Sequence, residues 1–281
     1  MAMPIRKRFL SVGRPLAFAH RGGAATWPEN TLVAFQGAVQ ARCDAIETDL
    51  RLTRDGALVA FHDDRVDRTT DGHGLLAEFT LQELQHLDAA HRFSPDGQSF
   101  PLRGQGISIP TFDDAVGAAP DIYWNVELKG RDPHIADRLW RTVERRKLHD
   151  CIVVAAHFDP LVQRFRRLSG GRVATAAGYR EATRFWVASR LGLASWLRPC
   201  FDALQVPIRY RGLRVVDARL LRMAHALNLA VHVWTVNETA EMEALLQLGV
   251  DGLMSDHSVR LVAAMRAGEV SAEAATFAAD P

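Results

Sequence analysis

Acidic residues at alternate positions and two widely separated histidines carry the chemistry in this sequence. Glu47-Thr48-Asp49 and Asn125-Val126-Glu127-Leu128-Lys129 each continue a short apolar run. Side chains alternate faces along a strand, so Glu47 and Asp49 point one way, as do Asn125, Glu127 and Lys129. If the two strands are neighbours, three carboxylates converge. At ~4 Å and an effective dielectric of ~20, each like-charged pair costs about 4 kcal/mol. A hard divalent cation relieves that repulsion, and oxygen-only ligands suit Mg²⁺ or Ca²⁺ rather than zinc. The structural alternative is a set of surface carboxylates paired with arginines. Glu127, at the end of the following strand, weighs against it.

His20-Arg21-Gly22-Gly23 closes the first apolar run, and His62-Asp63 closes a later hairpin segment. Histidine titrates near neutral pH, so His20 and His62 suit the taking and giving of protons beside the cation. Arg21, with its planar fork, and Lys129, as a point charge, suit the oxygens of a phosphate. Asn30 precedes a helical pattern and reads either as an N-cap or as a substrate contact. His232 reads as an interior polar residue rather than a catalyst.

These groups need a scaffold that brings several strand ends together. Short apolar runs at 16–20, 45–50, 122–128, 152–156, 172–176, 203–206, 230–235 and 252–255 read as buried strands. Helical patterns at 31–41, 135–146, 160–168, 217–226, 238–248 and 259–267 separate them. Eight strands alternating with helices predict an α/β fold, a (β/α)8 TIM barrel, with active groups at the C-terminal mouth. The rival is an open doubly wound sheet, but no glycine-rich dinucleotide turn follows the first strand. Residues 53–111 are too long for one βα loop and rich in turn residues such as Asp55-Gly56 and Asp71-Gly72. They read as an insertion after strand 2, with a hairpin strand at 57–62 and a short helix at 81–87. The whole chain, 1–281, is expected to form a single domain with its core at 16–266.

Composition narrows the function classes. Hydrophobic residues make up 48% and charged residues 24% of the 281 residues, a globular balance. A formal charge of +1 argues against a nucleic-acid partner bound by a broad basic surface. No run approaches the ~18 apolar residues of a membrane span. Arg6, Lys7 and Arg8 precede no secretory apolar stretch, so a cytoplasmic location is expected. Cys43, Cys151 and Cys200 read as reduced thiols buried for packing.

Together these segments resemble the glycerophosphodiester phosphodiesterase family. The matching pieces are His20-Arg21-Gly22, Pro28-Glu29-Asn30-Thr31, Glu47-Thr48-Asp49 and the Thr53-Arg54-Asp55-Gly56 turn leading to His62-Asp63. Arg68-Thr69-Thr70, Glu127-Leu128-Lys129 and Trp234-Thr235-Val236-Asn237 complete the set. They run in the family's order and spacing from about Leu16 to Arg266. The resemblance implies a barrel with a small insertion, a divalent cation on Glu47, Asp49 and Glu127, and His20 and His62 as the acid–base pair. It also implies a small-molecule glycerophosphodiester substrate, attacked by its own neighbouring hydroxyl to give a cyclic phosphate that water then opens. Trp234, at the end of the seventh strand, reads either as a wall for the glycerol moiety or as a buried barrel aromatic. The alternative is lysophospholipase D-type cleavage of a lipid phosphodiester on the same site. A non-catalytic binder would not need a matched acid–base pair, and the ordered motifs disfavour a lyase or isomerase.

Two departures stand out. Ala156-His157-Phe158-Asp159 has alanine where the family usually has a serine before the Phe. His157 there reads either as a contact to phosphate or leaving group, or as structural. Ser255-Asp256-His257 replaces the more usual Thr-Asp pattern, with Ser255 or Asp256 expected to cap the last helix. The aromatic, cationic segment 181–198 offers Trp186 and Trp196 for a membrane surface, although a barrel helix packing on the sheet is the favoured reading.

Overall fold

The computed structural model describes residues 8–10, 12–193 and 197–267. Eight parallel strands form a nearly closed barrel: β1 (Leu16–Ala19), β2 (Ala45–Leu52), β4 (Tyr123–Leu128), β5 (Ile152–Ala155), β6 (Ala174–Thr175), β7 (Ala203–Pro207), β10 (Ala230–Trp234) and β11 (Gly252–Ser255). Their order around the sheet is β6-β5-β4-β2-β1-β11-β10-β7. A lone parallel bridge from Ala176 to Ala203 draws β6 to β7, and the Ala177 amide donates to the Ala203 carbonyl at 2.8 Å. The expected eight strands are all present, but the fifth is shorter than residues 172–176. Gly170 and Gly171 both have positive φ, and the Arg172 amide turns back onto Ser169.

Helices follow the strands: α1 (Leu32–Gln40), α3 (Phe112–Ala118), α4 (His134–Arg146), α5 (Asp159–Ser169), α6 (Tyr179–Leu191), α7 (Ala218–Ala226) and α8 (Thr239–Leu248). A last helix begins at residue 258. The sequence reading lacked α3, the helix of the second βα unit. Thr111 starts it by accepting from the Asp114 amide, while Asp114 accepts in return from the Thr111 amide. No described helix is long and apolar enough to cross a membrane.

The insertion carries β3 (Leu58–Ala60), antiparallel to β2, and the one-turn helix α2 (Leu81–Gln85). It has a core of its own around Val59, Phe61, Val66, Leu76, Leu84 and Ile109. Insertion and barrel are therefore separately packed, which lets the insertion hold side chains steadily over the mouth.

The barrel interior is layered. At the bottom, Phe18 and Phe9 fill the space left by Ala45, Ala203 and Ala230, with Phe9 stacked on Tyr123 at 4.6 Å. Gly252 has to be glycine there: a Cβ would lie 2.6 Å from the Phe18 ring. Above lies a polar layer in which Gln205 Nε2 donates to Asn125 Oδ1 at 2.6 Å and lies 3.3 Å from His232 Nδ1. His232 is fully buried, as expected of an interior residue. Outside the sheet, Trp124 is gripped edge-on by Phe35 and Phe112.

The thiols correct one expectation. Cys43 is buried, but Cys151 is half-buried and Cys200 is exposed. Cys200 follows the helix α6 region and meets Arg166 and Glu181 at the surface, each at 3.4 Å, so packing does not explain it. The segment 181–198 folds mainly as α6. Trp186 lies half-buried against the core with the Arg190 guanidinium over its ring, and Trp196 lies outside the described residues.

Candidate active site

Register places the acidic residues together. β2 and β4 pair with Glu47 opposite Asn125 and Asp49 opposite Glu127, so all four side chains share the inner face. One carboxylate oxygen each from Glu47, Asp49 and Glu127 lies within 4.8 Å of the others. Burial pushes the Glu47 carboxyl up to about 7, and the neighbouring Asp49 charge adds to this. Burial opposes ionisation of Asp49 as well, yet Lys129, Arg21 and His62 together hold its pKa below the usual carboxylate value. Lys129, just beyond β4, places Nζ 3.0 Å from Asp49 and 2.8 Å from Glu127. It therefore neutralises the acidic pair in this structure rather than pointing into open space.

The donor chemistry suits a hard divalent cation: three converging carboxylates, two of them buried, one of them costly to ionise without added positive charge. Asn30 keeps the cluster in shape. Its Nδ2 donates to Asp49 Oδ2 at 3.0 Å, and its Oδ1 accepts from the Thr48 hydroxyl at 2.7 Å. The N-cap of α1 is Thr31 instead, which accepts from the Ala34 amide. Asn30 thus holds the Asp49 carboxylate rather than capping α1.

Both histidines are held from behind. His20 sits in a tight turn at the end of β1, where Gly22 has positive φ and a Cβ would meet Ala34 at 2.6 Å. Its Nδ1–H donates to Asp256 Oδ1 at 2.6 Å, leaving Nε2 3.9 Å from Glu47. Burial disfavours the charged ring, but the Asp256 hydrogen bond and the Glu47 charge raise its pKa above the ordinary value. Asp256 is itself fixed by Asn237 Nδ2 at 2.9 Å. This corrects the expectation for Asp256, which binds His20 rather than capping the last helix. Ser255 Oγ accepts from the His257 amide, ahead of the helix, so it does not cap it either.

His62 Nδ1–H donates to Asp63 Oδ1 at 2.6 Å. Burial opposes ionisation of Asp63, yet hydrogen bonds from Arg68 and His62 bring it down to about 2. Arg68 Nε donates to Asp63 at 2.5 Å, and its two Nη groups each donate to Glu29 at 2.7 Å. Glu29 also accepts from Arg21 at 3.0 Å, and Arg21 Nε lies 3.4 Å from Asp49. A continuous chain of charges therefore runs from His62 to the acidic cluster.

The sequence named His20, His62, Glu47, Asp49, Glu127, Arg21 and Lys129, and the fold brings them to one mouth. It did not assign roles to Asn237, Asp63, Arg68 or Glu29, and it gave Asp256 only a capping role. Asp63 beside His62 was a readable signal; Asp256 and Arg68 reach their partners only through space. His157 and Trp234 lie at the rim instead. His157 packs its ring 5.2 Å from that of Tyr179, and Trp234 ends β10 partly exposed. A polar cleft of ≈ 340 Å³ opens beside His20, bounded by Arg21, Glu29, Asn237 and Asp256 with Ala24 and Ala25.

Such a mouth, on eight parallel strands, defines an α/β-barrel of the hydrolytic kind. Residues 20–260 match the Glycerophosphoryl diester phosphodiesterase family, and the chain belongs to it. It is 31% identical to "Probable glycerophosphodiester phosphodiesterase 2" of Mycobacterium tuberculosis, over 89% of this chain and 90% of that one. It is 28% identical to the glycerophosphodiester phosphodiesterase of Caldanaerobacter subterraneus subsp. tengcongensis, over 91% and 99%. The fold is shared with an Oleispira antarctica phosphodiesterase solved in complex with the product sn-glycerol-3-phosphate. The TM-score is 0.74 and the identity 24%, covering 92% of this chain and 99% of that one.

Proposed function

We propose that the chain hydrolyses glycerophosphodiesters to sn-glycerol 3-phosphate and an alcohol, with Glu47, Asp49 and Glu127 holding Mg²⁺ or Ca²⁺ and His20 and His62 moving the protons. The observation that carries this reading is the paired arrangement of the histidines. Each gives Nδ1–H to a carboxylate, so each presents Nε2 for proton exchange beside the acidic cluster. Cleavage of a phosphodiester requires two such exchanges: a proton leaves the attacking hydroxyl, and another reaches the departing alkoxide. When bound, the cation would neutralise phosphoryl charge and make the attacking hydroxyl more acidic.

Arg21 and Lys129 would bind the non-bridging oxygens. Arg21 is oriented by Glu29, and Lys129 carries its charge next to the ligands. Trp234 would wall one side of the glycerol, with His157 at the rim beyond it. The complex of the Oleispira antarctica neighbour with sn-glycerol-3-phosphate supports the product assignment.

The test is a panel of glycerophosphodiesters and lysophospholipids assayed with chelator-stripped protein, then with Mg²⁺ or Ca²⁺ restored. Glycerophosphodiester turnover that returns with the cation is expected. Full turnover by the stripped protein would overturn the metal assignment, and turnover of lysophospholipids alone would overturn the substrate assignment.

A further inference from the structure

One quadrant of the mouth displays apolar side chains to solvent. Tyr179 opens α6, Trp234 ends β10, and Tyr210 and Leu213 lie on a hairpin formed by β8 (Arg209–Tyr210) and β9 (Leu213–Arg214). These elements are neighbours. β10 pairs with β7, β7 leads into the hairpin, and the Tyr179 and Tyr210 hydroxyls are 3.4 Å apart. Leu213 is 60% exposed, Tyr210 44% and Trp234 42%. Elsewhere, Val187, Leu191 and Leu193 are exposed in and just past the second half of α6, and Val12, Val39, Leu75, Phe100 and Val259 on five separate segments.

The hairpin turns through Arg211-Gly212, both with positive φ, the mirror-image turn that matches strand twist. Tyr210 and Leu213 flank that turn as a cross-strand pair, so a short regular ribbon presents them. Arg180, Arg209, Arg211 and Arg214 surround them, all exposed and in no ion pair among the described residues. Two acids near them are engaged elsewhere: Glu181 binds Arg166, and Asp217 binds Arg190.

Apolar tips ringed by unpaired cations match an anionic lipid surface, which offers hydrocarbon and negative charge at adjacent depths. Leu213, the most exposed of the group, has no ring to stack on a base, which favours lipid over nucleic acid. We propose that this quadrant docks the barrel mouth onto an anionic lipid surface. The inference deepens the diesterase reading and rests on it for its consequence. Because the cleft beside His20 is polar, a lipid phosphodiester would present its headgroup to the mouth while its acyl chain stays in the bilayer.

The experiment is co-sedimentation of the full chain with vesicles of phosphatidylcholine alone or with phosphatidylserine at about one lipid in three. Wild type is expected to bind the anionic vesicles and to release in high salt, as surface charge attraction is screened. Tyr210→Ser/Leu213→Ser and Arg211→Glu/Arg214→Glu should each weaken binding by at least about fivefold. All variants should hydrolyse a soluble glycerophosphodiester at the wild-type rate, and this assay separates failure of docking from failure of the diesterase reading. Wild type that ignores anionic vesicles overturns the proposal, whether the surface then proves to hold RNA or a second copy. Equal binding by wild type and both double variants also overturns it.

Discussion

Arg68 grips Glu29 with both terminal nitrogens of its guanidinium, at 2.7 Å each, and holds Asp63 with its third nitrogen. Arg68 belongs to the insertion and Glu29 to the loop after β1, so the contact spans two separately packed parts of the molecule. Asp63 orients His62, which makes Arg68 a positioning residue in the proposed mechanism. Arg68→Met is expected to lower kcat by about 10–100-fold with little change in KM, the usual scale for losing an orienting partner. Steady-state kinetics check this. Adding the substitution to His62→Ala should cost little more, because two residues acting as a unit are not additive. A full further loss in the double variant would show that Arg68 works by another route.

The histidines themselves carry the larger effect. His20→Ala and His62→Ala should each reduce turnover by ~10²–10⁴-fold, the range for an acid–base group. Near-wild-type turnover by either variant would remove that residue from the mechanism.

Asp256→Asn should lower the pKa of His20, because the hydrogen bond and charge that raise it are lost while burial remains. The ring proton signals of His20, followed by NMR across pH, report this directly. The raised pKa also fixes the sign for stability. His20 contributes most below its unfolded pKa, and that contribution is lost as pH rises through the folded value. Asp256→Asn should flatten this dependence, and a variant with unchanged His20 titration would contradict the assignment.

Cation binding should depend on pH through Glu47. Its carboxyl is pushed up to about 7, so below that pH a proton must leave before the site can bind metal. Apparent affinity for Mg²⁺ or Ca²⁺ should be about tenfold weaker at pH 6 than at pH 8. The sign for the metal-free protein is opposite to that of an ordinary ion-paired carboxylate. With the folded pKa raised, its stability falls as pH rises from the unfolded value through about 7. Thermal unfolding with and without cation should therefore show the greater stabilisation at pH 8. An equal shift at both pH values would count against Glu47 as a ligand.

Trp124 lies between two aromatic edges outside the sheet, at 5.3 Å from Phe35 and 5.6 Å from Phe112. Trp124→Ala is expected to cost about 3–5 kcal/mol, measured by denaturant unfolding.

The barrel was readable because buried parallel strands form continuous apolar runs, and the acidic residues broke those runs at their C-terminal ends. Alternation alone put Glu47 and Asp49 on one face, and the register of β2 with β4 brought Glu127 to them. Short elements were harder. α3 has only seven residues, and β6 is cut to two by the glycines before it. Local rules also misread polar residues whose partners are distant in sequence. Asn30 looked like a cap because it precedes a helix, but Thr31 caps that helix and Asn30 reaches Asp49. Cys200 shows the same limit, since nothing local distinguishes an exposed thiol from a buried one.

The bond between His20 and Asp256 joins residues 236 positions apart, each one residue past the end of β1 or β11. A chain that stopped before β11 would still contain both histidines and all three converging carboxylates. It would lack the carboxylate that orients His20 and the strand against which β1 is registered. Hydrolytic competence should therefore appear only after β11 has been made and the ring has closed. The emerging polypeptide would be catalytically silent however much of its barrel had already formed.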